Sequence, residues 1–334
     1  MSDGLLAAAF VSAACVSLLS SWLLIARLER VGARLGLSES LLGMLAALAG
    51  DTPEITAAVA ALTSNETHIG AGVVIGSNVF NLAALLGLSA VVARRIALHR
   101  RVIEMNGAVA VWVAATCLLV VLGILTPLAG LVVALLVLVP YLVVLGVEPE
   151  RLARLPLPAS WSRWLSAAIA EEEFELEVAI HPSRGGPRDA LASLLAVAVV
   201  VGASVGMERA ASTLGSRHAV PGIIVGGLVL AAVTSLPNAV AGVYLAARGR
   251  GAAVLSTALN SNALNVLGGL LIPGVILGLG GTSSETTFIA CSYLALTIFT
   301  LVMAYADRGL RRPHGVIVLV LYAAFVVALV TTSS

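Results

Sequence analysis

Ten runs of apolar residues organise the chain, at approximately 5–26, 38–62, 69–93, 102–122, 128–147, 190–207, 219–247, 252–278, 286–306 and 315–331. Short charged or Gly/Pro-containing breaks separate them. A helix needs about 20 apolar residues to cross the hydrocarbon of a bilayer, so each run predicts a membrane-spanning helix. The first run, Leu5 to Ile25, is not read as a signal peptide, because no basic segment precedes it and it is too long for a signal core. The longest non-apolar stretch, 148–189, carries Glu171, Glu172, Glu173, Glu175 and Glu177 with Arg151, Arg154, Arg163, Arg184 and Arg188. It divides the chain into a first five-helix unit, 1–147, and a second, 190–334. Its simplest reading is a solvated linker, with a divalent cation or a basic partner as the functional alternative.

Composition removes whole classes of function. Of 334 residues, 59% are hydrophobic and 11% charged, where soluble domains carry roughly 25% charge. No room is left for a large extramembrane enzyme domain, and the predicted partners are the lipid bilayer and inorganic cations, not nucleic acid. All 19 basic residues are arginine. With ten spans and an external N-terminus, 17 of them fall on cytoplasmic segments and only Arg209 and Arg217 fall outside, the asymmetry expected of an integral plasma or inner-membrane protein. Both termini are then external and the 148–189 segment cytoplasmic. Cys15, Cys117 and Cys291 lie in separate apolar runs and form no motif. The five histidines sit at or near the ends of runs, so a haem or zinc site inside the bundle lacks its usual ligands, and no cofactor is expected.

The two halves resemble each other. At an offset of 184, Ala47, Pro53, Ala57 and Val59 match Ala231, Pro237, Ala241 and Val243, and Ser77, Asn78 and Asn81 match Ser261, Asn262 and Asn265. Five is an odd number of crossings, so the second half enters the membrane inverted. The fold class is therefore all-α and polytopic, ten transmembrane helices in two inverted five-helix repeats, an architecture used by many secondary transporters.

Against this apolar background, a few polar residues stand out. Asp51 and Glu54, three residues apart, project from one face of the second span, with Pro53 between them removing a backbone donor. The third span carries Gly76-Ser77-Asn78-Val79-Phe80-Asn81, the seventh Thr234-Ser235-Leu236-Pro237-Asn238, and the eighth Asn260-Ser261-Asn262-Ala263-Leu264-Asn265. Single Ser or Asn residues commonly hold membrane helices together. A set repeated at equal spacing that includes two carboxylates fits a hard cation better, because carboxylate, hydroxyl, amide and carbonyl oxygens are its ligands.

At these residues the sequence resembles the cation/calcium exchanger superfamily, in particular the membrane region of sodium/calcium exchangers. The two alpha repeats cover roughly 45–90 and 229–274, and the ten-helix layout extends the likeness to the whole chain. The resemblance implies transport of Ca²⁺ and Na⁺ through a midplane site formed by broken second and seventh helices beside the third and eighth, with the first and sixth helices sliding to give alternating access. It also implies a ligand set: the Ala47 and Gly50 carbonyls, Asp51, Glu54, Ser77 and Asn81 from the first repeat, and the Ala231 carbonyl, Thr234, Ser235, Asn238, Ser261 and Asn265 from the second. Three departures stand out. Asn238 replaces the usual second-repeat acid, Gly50-Asp51 replaces a Thr-Ser pair, and Asn265 stands where sodium/calcium exchangers often have Asp.

Formal site charge is thus −2, both charges coming from one repeat. That balances one Ca²⁺ or two Na⁺, whereas three Na⁺ would leave an unbalanced positive charge in low dielectric. The expected stoichiometry or ion preference therefore differs from that of better-known members. A cation/proton antiporter is the alternative, since Asp51 and Glu54 could share a proton. A passive channel would show filter loops or pore rings instead of an inverted repeat. An intramembrane aspartyl protease would need a second facing aspartate, and Asp3, Asp189 and Asp307 lie at span ends.

Overall fold

The computed structural model describes residues 1–37, 39–146, 159–177, 185–281 and 283–333. Arg151, Arg154 and Arg184 of the central segment lie outside the described residues, as do the side chains of the Glu171–Glu177 run.

Among the described residues, nine helices are long and apolar enough to cross a membrane, and a bent pair supplies a tenth. In chain order the spans are Asp3–Arg34, Glu39–Thr63, Thr67–Ala93, Arg100–Val121, Pro127–Gly146, Pro187–Arg217, Gly222–Thr234 with Leu236–Ala247, Gly251–Leu277, Ser284–Ala306 and Arg312–Ser333. Local chemistry sets several boundaries. Pro187 opens the sixth span and Asp189 accepts the Gly186 N–H (2.8 Å), while Ser283 caps the ninth by accepting from the Thr286 N–H (3.1 Å). Gly278, at φ +80°, turns the chain out of the eighth span.

The third span forms the centre: 94% of its apolar stretch is buried, against 22% in the first and tenth. Its glycines explain how it gets there. A Cβ on Gly76 would fall on the backbone of Gly227, and one on Gly226 on the backbone of Ile69, so the third and seventh spans meet backbone to backbone. The first and sixth spans lie antiparallel at the rim. Arg27 binds Asp189 (2.8 Å) at one end and Arg217 binds Asp3 (2.8 Å) at the other, while Ser17 and Ser204 hydrogen-bond between them (2.8 Å). The inverted relation of the two halves follows from this antiparallel pairing.

Two features go beyond the apolar pattern. Within the central segment, Ala159–Glu177 is a helix that packs against the second, fourth and eighth spans with Ala168 and Ile169 buried, so this part is not a solvated linker. Strands Arg95–Ala97 and Gly309–Arg311 pair antiparallel, tying the turn after the third span to the turn after the ninth and burying Ile96 and Leu310.

Candidate functional site

Four spans bring a layer of polar side chains together in the middle of the bundle. Asp51, Glu54, Ser77, Asn81, Thr234, Ser235, Ser261 and Asn265 are fully buried and Asn238 nearly so. Asp51 Oδ1 accepts from Asn238 Nδ2 (2.8 Å) and Ser261 Oγ (2.5 Å). Glu54 accepts from the Ser235 hydroxyl through Oε1 and from the Asn265 amide through Oε2. Ser261 ties the layer together, since its Oγ also accepts from Asn238 (3.1 Å) and from Asn81 (3.2 Å). Among the described residues no arginine takes part. Two carboxylates are therefore buried with only neutral donors around them, an expensive arrangement unless a cation or proton completes it.

The offset of 184 makes a relation between these contacts visible. Position 54 corresponds to 238 and position 51 to 235, so the pair Glu54–Ser235 and the pair Asn238–Asp51 are two-fold mates. Each pair consists of one carboxylate and one neutral donor, with the roles exchanged. Asp51 thus puts its charge beside the position that an acid at 238 would occupy. Gly50 belongs to the same arrangement: a Cβ there would lie 2.6 Å from Asn238 Oδ1, so Asn238 fills the space of the missing side chain.

The broken second helix expected above is corrected by the structure. The seventh span does bend by 46° at Ser235, but Glu39–Thr63 is one continuous helix through Pro53. Pro53 has no N–H for the Ala49 carbonyl, and Ser21 of the first span donates to that carbonyl (3.0 Å), so the freed acceptor is satisfied without a break. Consequently the Ala47 and Gly50 carbonyls stay in the helical ladder with only a second lone pair to offer. On the other side the Ala231 carbonyl accepts from the Ser235 N–H (3.2 Å), Thr234 Oγ1 (3.3 Å) and Ser77 Oγ (3.5 Å). Thr234 donates to its own helix, at Leu230 as well (2.9 Å), and joins the layer only through Ala231.

The structure also adds residues to the layer. Asn78 and Asn262 donate to each other's carbonyls, both at 3.1 Å, clamping the third span to the eighth across the two-fold axis. Their Oδ1 atoms accept from Asn265 (3.3 Å) and Asn81 (3.1 Å). Their match in the internal repeat was the signal for them. Beside the layer, the Tyr141 hydroxyl lies 2.7 Å from Asn106 Oδ1 and 3.0 Å from Asn260 Oδ1. The helix widens to a π-helical turn directly after Asn81, at Leu82–Leu88, and directly after Asn265, at Val266–Leu271; such turns often mark functional sites.

Three oxygens remain. Asp51 Oδ2, Asn81 Oδ1 and Asn265 Oδ1 are sealed from solvent and receive no hydrogen bond among the described residues. Native proteins pair nearly all such atoms. These three are acceptors, drawn from three spans, of the kind hard cations bind.

The comparisons with known proteins agree with this architecture. The family model described as sodium/calcium exchanger protein matches residues 5–147 and 189–331. A curated relative, the sodium/calcium exchanger MaX1 of Methanosarcina acetivorans, is 28% identical over 139 residues, which cover 41% of this chain and 39% of that protein. The matched stretch thus spans about two fifths of the relative. Among solved structures, the sodium-calcium exchanger NCX_Mj superposes with a TM-score of 0.61 at 18% identity, covering 98% of this chain and 99% of that one. The H⁺/Ca²⁺ exchanger CAX gives 0.67 at 12% identity, covering 98% and 86%. Both structural likenesses are to transporters, not enzymes, and extend over nearly the whole chain. The family match, spanning both five-helix halves, decides the assignment: the chain belongs to the sodium/calcium exchanger protein family.

Proposed function

We propose that the protein is a secondary active cation antiporter of the sodium/calcium type, in which Ca²⁺ and Na⁺ compete for the polar layer and cross by alternating access. The observation that carries this reading is the set of unpartnered oxygens, Asp51 Oδ2, Asn81 Oδ1 and Asn265 Oδ1, in a layer whose two carboxylates, Asp51 and Glu54, are neutralised by no basic side chain among the described residues. In this reading Asp51 and Glu54 supply the charge. Ser77, Asn81, Ser235, Asn238, Ser261 and Asn265 supply neutral oxygens, and Thr234 with the Ala47, Gly50 and Ala231 carbonyls completes the shell. On loading, the Ser235, Asn238, Ser261 and Asn265 donors release the carboxylates and turn an oxygen toward the ion. A −2 site takes one Ca²⁺ or two Na⁺ without excess charge. The segments 1–147 and 190–334 form the two halves, and segment 148–189 lies on the arginine-rich, cytoplasmic side of a plasma or inner membrane with both termini opposite.

The test is ⁴⁵Ca²⁺ uptake into proteoliposomes loaded with Na⁺. Uptake driven by the Na⁺ gradient and abolished by Glu54→Gln is the expected result; uptake that survives Glu54→Gln refutes the site. A second reading, H⁺/Ca²⁺ exchange, draws on the placement of Asp51 and Glu54 one turn apart in the same layer, where one proton could replace a cation. A pH gradient that drives uptake without Na⁺ selects it.

A further inference from the structure

One buried carboxylate stands apart from the polar layer. Glu208, on the sixth span, is 1% exposed, and its Oε2 is sealed with no hydrogen-bond donor among the described residues. Among the described residues, the charges acting on it are Glu66, which repels it, and its chain neighbour Arg209, which attracts it. Arg209 is exposed and turned elsewhere, lining a cavity of about 360 Å³ between the second and sixth spans with Ile55, Thr56, Val59, Thr63 and Val205.

That cavity fixes the height of Glu208. It lies between Ile55 to Thr63 and Val201 to Arg209. Because the first span runs antiparallel both to the sixth, through Ser17–Ser204 and Asp3–Arg217, and to the second, across a short turn, the second and sixth run in the same direction side by side. Glu208 is then level with about Leu62, eight residues beyond Glu54, roughly 12 Å at 1.5 Å per residue. Glu66, exposed at the start of the third span, lies further out at the same end. Glu66, Glu208 and Glu54 therefore mark the surface, an intermediate depth and the polar layer. The sixth helix ends nine residues after Glu208 at Arg217. Its apolar run ends at Met207, so Glu208 opens the polar turns that continue past the hydrocarbon and lies at the rim of the membrane. A carboxylate sealed from solvent without a donor is expensive and contributes nothing to packing that glutamine would not.

We infer that Glu208, with Glu66 outside it, is a capture site for a hard cation entering from the arginine-poor face. The ion is held there transiently before it passes to Asp51 and Glu54. Arg209 makes the neighbouring cavity unfavourable to a cation and confines entry to the Glu208 side. The inference rests on the antiport reading for its purpose but not for its test.

Equilibrium ⁴⁵Ca²⁺ binding to detergent-purified Glu54→Gln protein, whose central site is disabled, tests it directly. Weak residual binding that disappears in Glu54→Gln/Glu208→Gln is expected; identical isotherms for the two proteins overturn the capture site, whatever the central site does. In transport, Glu208→Gln raises the KM for Ca²⁺ on the arginine-poor face about tenfold, the lower end of what a focusing charge contributes, and leaves the KM on the opposite face and the maximal rate unchanged. A purely structural role would shift both faces or the maximal rate. Glutamine is isosteric and neutral, so the variant folds, and Glu66→Gln, at an exposed position, gives a smaller one-sided shift as a second reading of the same site.

Discussion

Replacing Asp51 by asparagine tests the relocated charge. Asparagine has the shape of aspartate, and its carbonyl oxygen can keep both hydrogen bonds that Asp51 Oδ1 accepts, from Asn238 (2.8 Å) and Ser261 (2.5 Å). What changes is the unpartnered Oδ2, which becomes an amide donor and repels a cation. A unit charge about 4 Å from a carboxylate at an effective dielectric of 20 gains about 4 kcal/mol, and a divalent ion twice that. Asp51→Asn therefore weakens Ca²⁺ by about 4 kcal/mol more than it weakens Na⁺, a shift in preference toward the monovalent ion of roughly three decades. Titration calorimetry of the purified variant with each ion measures it, with Tm in excess NaCl as the control for folding. The two-fold relation adds a second arm: Asp51→Ser with Asn238→Glu moves the charge to its mate position and brings Ca²⁺ affinity back to within about tenfold of the parent. A Ca²⁺ affinity in Asp51→Asn within threefold of the parent would refute the reasoning, because the charge would then be remote from the ion.

Two other substitutions probe what shapes the site. Gly50→Ala places a methyl group 2.6 Å from Asn238 Oδ1, and the crowding lowers stability by about 1–3 kcal/mol; thermal unfolding should show the loss, and Asn238→Ala in the same chain should remove most of it. Ser21→Ala leaves the Ala49 carbonyl buried without a donor, at about 1–3 kcal/mol, so a lower Tm with a second span bent at Pro53 is expected, and an unchanged Tm would show that Ser21 is dispensable.

The sequence was legible where physics is local. Twenty-residue apolar runs can only span a bilayer, so the spans were readable to within a few residues, apart from the ends of the first and sixth helices, which extend beyond their apolar runs because polar helical turns continue past the hydrocarbon. Spacing also placed Asp51 and Glu54 on one face and, through the repeat, brought Ser261 and Asn265 into the layer. The pattern was silent on contacts between distant segments. Nothing in 159–177 separates a docked helix from a linker except the burial of Ala168 and Ile169, and three-residue strands leave no periodicity to read.

What the sequence by itself determined is therefore the number of spans, their inverted arrangement and the identity of the polar set, because the bilayer forces each of these on the chain one segment at a time. Only the tertiary structure decided how the set is used. Ser21, 28 residues from Ala49, keeps the second helix whole. The charge of Asp51 lies beside position 238 because the fold brings Asp51 into hydrogen-bond contact with Asn238, 187 residues away, and leaves Gly50 bare to admit the amide. Donor and acceptor roles within a buried polar layer depend on which side chains the crossing helices bring within 3 Å of one another, and that is a property of packing.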